Sequence, residues 1–366
     1  MAAEGAANDL VLLRELGRSL LRRENSVAMV TGTFVHRTSC SEEGYARQVA
    51  LQAKVIPEAA APANRKTLFV GRFSAGEGWL EYDLLTVVGG HSRLGSPHRR
   101  HAVASDGSGV LGYLADTAGH PLISLVADGE QETLIDHARR AARVTAQEEW
   151  PAALRHRLVS NVLITGPAPG LSWAELLLHY AGDRPLPIAP GGRVTVSIQR
   201  SVASESGPII RVAVTSYATD GNSIHRQVFD LAPGLDYAVV RVEEYRWQAK
   251  PASAWMTVYQ AHEFAPRAPA VMPLPSRTSV SRYYYPEGRP GYWGSSEETV
   301  FTSLDAWSEA PSEAPQTLIP FGYLVTNEVQ MKRSLGGGLD LGALESEWEH
   351  LRTAPEPSLV NMPERP

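Results

Sequence analysis

Three histidines, His91, His98 and His101, stand close together in a segment that also carries Arg93, Arg99 and Arg100. Imidazoles at such spacing raise the question of a metal. Zinc takes three or four nitrogen, sulfur or oxygen ligands, with outer partners that orient each ring. The nearest carboxylates are Asp83 and Asp106, and Cys40, the only cysteine, is distant in the chain. His98 and His101 are three apart in an extended stretch and so point to opposite faces. An exposed basic loop is the better reading, and no metal is expected. Ser108 lies in Asp106-Gly107-Ser108-Gly109, a tight turn where Gly and Ser serve the backbone. Glu243 and Glu244 are adjacent on a strand, so they cannot face one substrate as a carboxylate pair. Gly336-Gly337-Gly338 precedes a helical pattern but has no Lys or Ser at a phosphate-binding offset. GxGxxG, HExxH and GxSxG are all absent. No catalytic residue and no cofactor is expected.

The elements that would position any site are mostly strands. From Arg193 to Tyr285 the runs RVTVSIQR, IIRVAVTSY, SIHRQVFDL, YAVVRVEEYRW, WMTVYQAHEF and VMPLPSRTSVSRYYY follow one another. They are rich in Val, Ile, Tyr and Trp and are closed by Gly, Pro, Asn or Asp. Thr219–Asn222 and Ala232–Leu235 read as turns. The expectation is six antiparallel strands in sequential order.

Before the meander come a helix over 9–23 capped by Asn8, with Leu10, Leu13, Leu16 and Leu20 on one face, and a strand at Ser26–Arg37. Further strands follow in LFVGRFS, WLEYDLLTVVGG, RHAVASDGSGVLGYLAD and PLISLVADG. Residues 130–146 (EQETLIDHARRAARVTA) carry strong helix formers, and Ser172-Trp173-Ala174-Glu175 is a capping-box pattern for a second helix closed by Gly182. A helical insertion over about 130–190 results. After the meander come a short helix near Ser303–Ser308, a strand in IPFGYLVTNEVQMKR and a helix around Leu339–Leu351. The tail 353–366 carries four prolines and reads as disordered. One domain over 1–352 is expected.

Charge and composition exclude some classes. A net charge of −6 with no Lys/Arg-rich stripe argues against a nucleic-acid binder. No apolar run is long enough for a membrane-spanning helix. The opening MAAEGAANDLVLLRELGRSLLRR has no basic segment leading into an apolar one, so it is not an export signal.

Alternation assigns the faces of the meander. Val194, Val196 and Ile198 share one face of their strand, as do Ile210, Val212 and Val214, and Val240 and Val242. These eight are expected to face the interior. Tyr237, Val239, Arg241, Glu243, Tyr245 and Trp247 form an amphipathic outer face, an aromatic stripe that suits cross-strand packing, carbohydrate or a partner protein.

The run Arg226–Tyr245 (RQVFDLAPGLDYAVVRVEEY), with Asp230 and Gly234 framing the turn and Arg241, Glu243 and Tyr245 on the next strand, resembles LolA/LolB-type outer-membrane lipoprotein-sorting proteins. Thr257–Phe264 followed by Val271–Arg277, and the opening helix before a long strand, are similar to the same family. The resemblance implies a mainly β (α+β) fold: a large curved antiparallel sheet, or half-barrel, wrapped around helices. It implies a non-catalytic protein of the periplasm or cell envelope, binding lipid or lipoprotein acyl chains on the concave face lined by Val194, Val196, Ile198, Ile210, Val212, Val214, Val240 and Val242. A structural, interaction or carbohydrate-binding module is the alternative, then a hydrolase with dispersed catalytic residues. With no export signal in the chain, the cytoplasm stays open as a location.

Overall fold

Alternation and turn chemistry organise most of the chain into strands. The computed structural model describes residues 2–55, 65–76, 79–88, 100–101, 112–114, 121–127, 131–137, 140–146, 172–183, 193–203, 207–217, 223–249, 252–264, 273–307, 319 and 323–326. The first elements are α1 (Ala2–Glu24), β1 (Met29–Cys40), α2 (Glu42–Val55), β2 (Lys66–Gly76) and β3 (Trp79–Val88). Five short strands follow: β4 (Arg100–His101), β5 (Gly112–Leu114), β6 (Ile123–Ala127), β7 (Gln131–Asp136) and β8 (Ala141–Ala146). Then come α3 (Trp173–Tyr180), β9 (Val194–Val202), β10 (Ile209–Tyr217), β11 (Ser223–Ala232) and β12 (Ala238–Ala249). The described elements close with β13 (Ala252–Phe264), β14 (Pro275–Pro286), β15 (Tyr292–Trp307) and β16 (Leu324–Thr326).

The contacts divide the chain into two compact units. The first draws on Met1–Val27 and Ser160–Ser296, the second on Ala28–Val159 and Glu297–Glu356. In the first unit the strands pair in the order β14-β13-β12-β11-β10-β9, each neighbour antiparallel. This is the expected sequential meander. The turn Thr219–Asn222 lies outside the described residues, apart from its flanking strands. The second turn is a single 3-10 turn over Pro233–Leu235, after which Asp236 and Tyr237 both take positive φ, 53° and 62°. In the second unit the order is β16-β8-β7-β6-β3-β2-β1-β15, antiparallel except that β16 pairs β8 in parallel.

Two helices cover one face of the first unit's sheet. The hydroxyl of Ser172 accepts the Glu175 N–H at 3.1 Å, and the Glu175 carboxylate accepts the Ser172 N–H at 3.2 Å, so the capping box starts α3 as its sequence requires. Gly182, at φ 78°, closes it by donating to His179 O. Helix α1 buries Leu13, Leu16 and Leu20 against α3 and the sheet. A Cβ on Gly17 would stand 2.9 Å from Cγ of Leu178, so glycine permits this close crossing. The helix begins at Ala2, so Asn8 lies inside it and does not cap it.

Three further expectations are corrected, and one helix is added. The helical segment 130–146 is instead the hairpin β7–β8, turned at Arg140 with φ 51°. Tertiary pairing overrides its helix propensity: Thr133, Ile135, Ala142 and Val144 alternate into the interior. The stretch near Ser303–Ser308 ends β15 rather than forming a helix. Residues 42–55 form α2, unforeseen in the sequence. Val240 occupies the face opposite Val242, because the β11–β12 register shifts between Asp230 and Leu231. The helix around 339–351 and the tail 353–366 lie outside the described residues.

Strand β9 ends the described sheet of this unit. One of its backbone donors, the Ile198 N–H, is taken by Asp9 Oδ2 of α1 at 3.2 Å.

Candidate functional site

The expected apolar face exists, and helices occupy its centre. Val212, Val214 and Val242 are fully buried in one core with Phe229 and Leu231 of β11, Leu13, Leu16 and Leu20 of α1, and Trp173, Ala174 and Leu177 of α3. Each such side chain contributes about 1.5–3 kcal/mol by leaving water. Val196, Ile198 and Ile210 pack against this core while only partly buried. Val194, near the start of β9, is 41% exposed, and Leu10 and Val11 of α1 are 39% and 51% exposed. Val240 joins Ile209, Ala232 and Ala238 instead.

Toward one end of the same face the rows turn polar. Successive cross-strand partners run Val214, Gln227, Glu244, Thr257 and Arg282, then Ser216, His225, Arg246, Trp255 and Tyr284. Both rows share the face of Phe229 and Val242, because alternation is unbroken between them. Tyr180, the last residue of α3, donates to Gln227 Oε1 at 2.8 Å, and Gln227 donates to Glu244 Oε1 at 2.8 Å. Tyr259 reaches Glu244 Oε2 at 3.5 Å. Burial, with Glu244 adding to it, pushes the Tyr180 hydroxyl up to about 12. Burial holds the His225 imidazole below its usual range; Glu244 pulls the other way and Arg246 adds to the lowering. Nε2 of His225 is buried with no hydrogen-bond partner among the described residues. Arg246 is exposed, and Trp255 and Tyr284 are half-buried.

The opposite face was expected to turn its aromatics outward; the structure buries them. Tyr245, Trp247, Met256, Val258, Tyr283 and Trp293 form a second apolar cluster, with Tyr245 stacked on Trp247 at 5.8 Å. At its polar end Arg211 grips Asp230 through two bonds of 2.7 and 2.8 Å, and Arg241 pairs Glu243, which also accepts from the Tyr245 hydroxyl. Burial and that carboxylate hold the Tyr245 hydroxyl well above its usual range.

The second unit contains a polar chain that sequence reasoning missed. Arg72 Nε donates to Asp83 Oδ2 at 2.9 Å, and Ser124 donates to Asp83 Oδ1 at 2.6 Å. Ser124 Oγ also lies 3.0 Å from Nε2 of His137, whose Nδ1 is 3.1 Å from the Tyr323 hydroxyl. Asp83, Ser124 and His137 are all buried. A serine, a histidine and an aspartate in contact invite comparison with a hydrolase triad, yet the order differs. The hydroxyl proton goes to Asp83, so Nε2 must donate to Ser124 and cannot act as its base. This is a satisfied seam across β2, β3 and β6. The signal for it was positional: Arg72, Asp83 and Ser124 are register partners, a relation visible only once the strands are paired.

His91, His98, Asp106, Ser108 and Gly336–Gly338 lie outside the described residues, and of His101 only the backbone is described. Among the described residues no three His, Cys, Asp or Glu side chains converge on a point where a metal could sit. None of the described helices is long and apolar enough to cross a membrane.

No family model and no curated protein matches the chain. Among solved structures it is similar to a DUF1329 family protein from Desulfovibrio piger, at 8% identity, with a TM-score of 0.33, over 81% of this chain and 92% of that one.

Proposed function

We propose that the first unit is a non-catalytic carrier module of the bacterial cell envelope, holding the apolar chain of a lipid or lipoprotein between its sheet and its helices. The observation that carries this reading is the aliphatic face itself. Val212, Val214 and Val242 meet not a second sheet but two helices, α1 and α3. The polar ties of α1 include Asp9 to the Ile198 N–H, Arg14 to Ala181 O and Asp183, Arg18 to Asp183, Arg23 to Asp236 O and Pro273 O, and Glu24 to the Ala174 N–H. Its leucine stripe is held by side-chain packing, which another apolar chain of similar volume can replace. Leu10 and Val11 of α1 and Val194 of β9 are exposed apolar side chains on two elements that touch each other.

Native mass spectrometry with lipid extraction, on protein purified from its own organism, tests this directly, and a hydrophobic reporter dye tests it in vitro. Val212→Asp should abolish dye binding in protein that still folds, since an unpaired buried carboxylate costs several kcal/mol. Val212→Ala should weaken it mildly. Neither lipid nor dye bound would sink the carrier reading. The filled core would then favour a structural or interaction module.

A further inference from the structure

We infer that the polar end of the helix-covered sheet face is a head-group site for a singly charged oxyanion, a phosphate diester or carboxylate, borne by an amphiphile. The proposal rests on the carrier reading, which places the chain of that amphiphile on the adjoining aliphatic rows. Five observations converge on the row Ser216, His225, Arg246, Trp255 and Tyr284 and its inner neighbour. Arg246 is exposed, and no hydrogen bond or ion pair engages its guanidinium among the described residues. His225, its direct cross-strand partner, keeps a buried Nε2 without a partner. Direct partners stand about 5 Å apart at Cβ, so guanidinium and imidazole can share one anion. Trp255, next across from Arg246, offers a half-buried ring to the body of the ligand, and Tyr284 beyond it, its ring packed over Gly294 and Tyr292, closes the row. The row lies two residues along the strands from the row of Val214, a member of the apolar core, and four from Phe229 and Val242, so a head here continues past Gln227 and Glu244 into a chain there.

Glu244 sets the charge limit. Its carboxylate is engaged by Gln227 and Tyr259 one row inward. It offsets one of the two cations that the site can present, leaving room for one negative charge and penalising two. The groups around His225 are Ser216 from β10 and Glu244 and Arg246 from β12, and from α3 Tyr180 interacts with these same three residues. Of these, Glu244 favours the imidazolium and Arg246 opposes it. An anion lying between His225 and Arg246 reverses the balance and draws a proton onto His225. Binding is therefore linked to proton uptake: affinity rises as pH falls through the window between the imidazole's bound and free titrations.

The experiment is calorimetric titration of the full chain with dihexanoyl phosphatidylglycerol, dihexanoyl phosphatidylcholine and dimethyl phosphate, at about pH 5.5 and about pH 8. Dimethyl phosphate carries the same single charge without tails, so it separates a free anion from an amphiphile. Phosphatidylglycerol should bind more tightly at the lower pH. Arg246→Gln should weaken it by about tenfold, and His225→Gln should remove the pH dependence. The 15N shifts of His225 should report protonation on binding. Binding of dimethyl phosphate with the same dependence on Arg246 and His225 keeps the site and assigns it to free anions. Phosphatidylcholine bound as well as phosphatidylglycerol overturns the charge assignment. Phosphatidylglycerol binding untouched by both substitutions overturns the site while leaving the carrier reading standing. Dimethyl phosphate bound through Arg246 with no lipid or dye bound does the reverse. No binding of any probe overturns both.

Discussion

If α1 occupies volume that a ligand would take, weakening its packing must help the ligand. Leu16→Ala is the cleanest perturbation. Leu16 is 3% exposed and lies in the core that α1 shares with α3 and the sheet. Removing such a side chain costs about 2–5 kcal/mol, part lost transfer energy and part residual cavity. That loss falls on the state with α1 docked and not on one with α1 displaced. The docked state then loses ground by the same amount, and apparent ligand affinity rises in proportion to the displaced fraction. At about 1.4 kcal/mol per tenfold, the low end of the range is about thirtyfold in dye affinity. Urea unfolding gives the stability term, and a fluorescent dye titration gives the affinity term. Near-UV circular dichroism, sensitive to Trp173, shows that the fold persists. Met256→Ala is the control: Met256 is 1% exposed and belongs to the cluster on the other face of the sheet. It should cost a similar amount and leave dye affinity unchanged. A destabilised Leu16→Ala with unchanged affinity would refute the idea that the helix competes with ligand. A loss below about 1 kcal/mol would refute the packing assignment itself.

Three further outcomes follow from local geometry. Ser124→Ala should destabilise the second unit by about 1–3 kcal/mol in urea, because one oxygen of buried Asp83 and Nε2 of His137 lose their shared partner; a neutral result would mean that water replaces the hydroxyl. Ser172→Ala should cost about 1 kcal/mol by removing the cap of α3, measured in the same way, and an unchanged midpoint would show the cap to be redundant. Burial raises the Glu24 carboxyl above 4.5 despite bonds from Ser172 and the Ala174 N–H. Its contribution is present at low pH and lost as pH rises through the folded titration. Glu24→Gln, which keeps an acceptor, should flatten that loss and be at least as stable at neutral pH; lower stability there would mean that the charge helps.

The meander was legible because its six strands alternate and its turns carry Gly, Pro or Asp, and α3 because Ser172, Glu175 and Gly182 stand at cap positions. The hairpin β7–β8 was not, since Glu, Gln, Ala and Arg favour helix locally and only neighbouring strands make the alternation of Ile135 and Val144 count. Helix α2 did carry a signal: Ser41 Oγ accepts the Gly44 N–H at 2.9 Å, and Glu42 and Glu43 occupy the first turn. Sidedness failed where the register slips at Asp230, which no periodic pattern announces. Tyr245 and Trp247 were assigned to the outside on the premise that one face of a sheet meets water, but on this one they are buried in an apolar cluster of their own. The polar rows around His225 were unreadable for a different reason. Their members come from five strands, and only the register that pairs Ser216 with His225, His225 with Arg246, Arg246 with Trp255 and Trp255 with Tyr284 assembles them.

The bond between Arg14 and the Ala181 carbonyl joins residues 167 positions apart, and that separation sets a clock on biosynthesis. At 5–20 residues per second a ribosome takes roughly eight to thirty seconds to deliver α3 after α1. The sheet strands that complete the core arrive later still. Throughout that interval Leu13, Leu16 and Leu20 form an amphipathic stripe with no native surface to meet, because everything they pack against is C-terminal to them. The helix has its native packing surface only once α3 and the strands have been made. The interval before that is when the chain most needs a chaperone's cover.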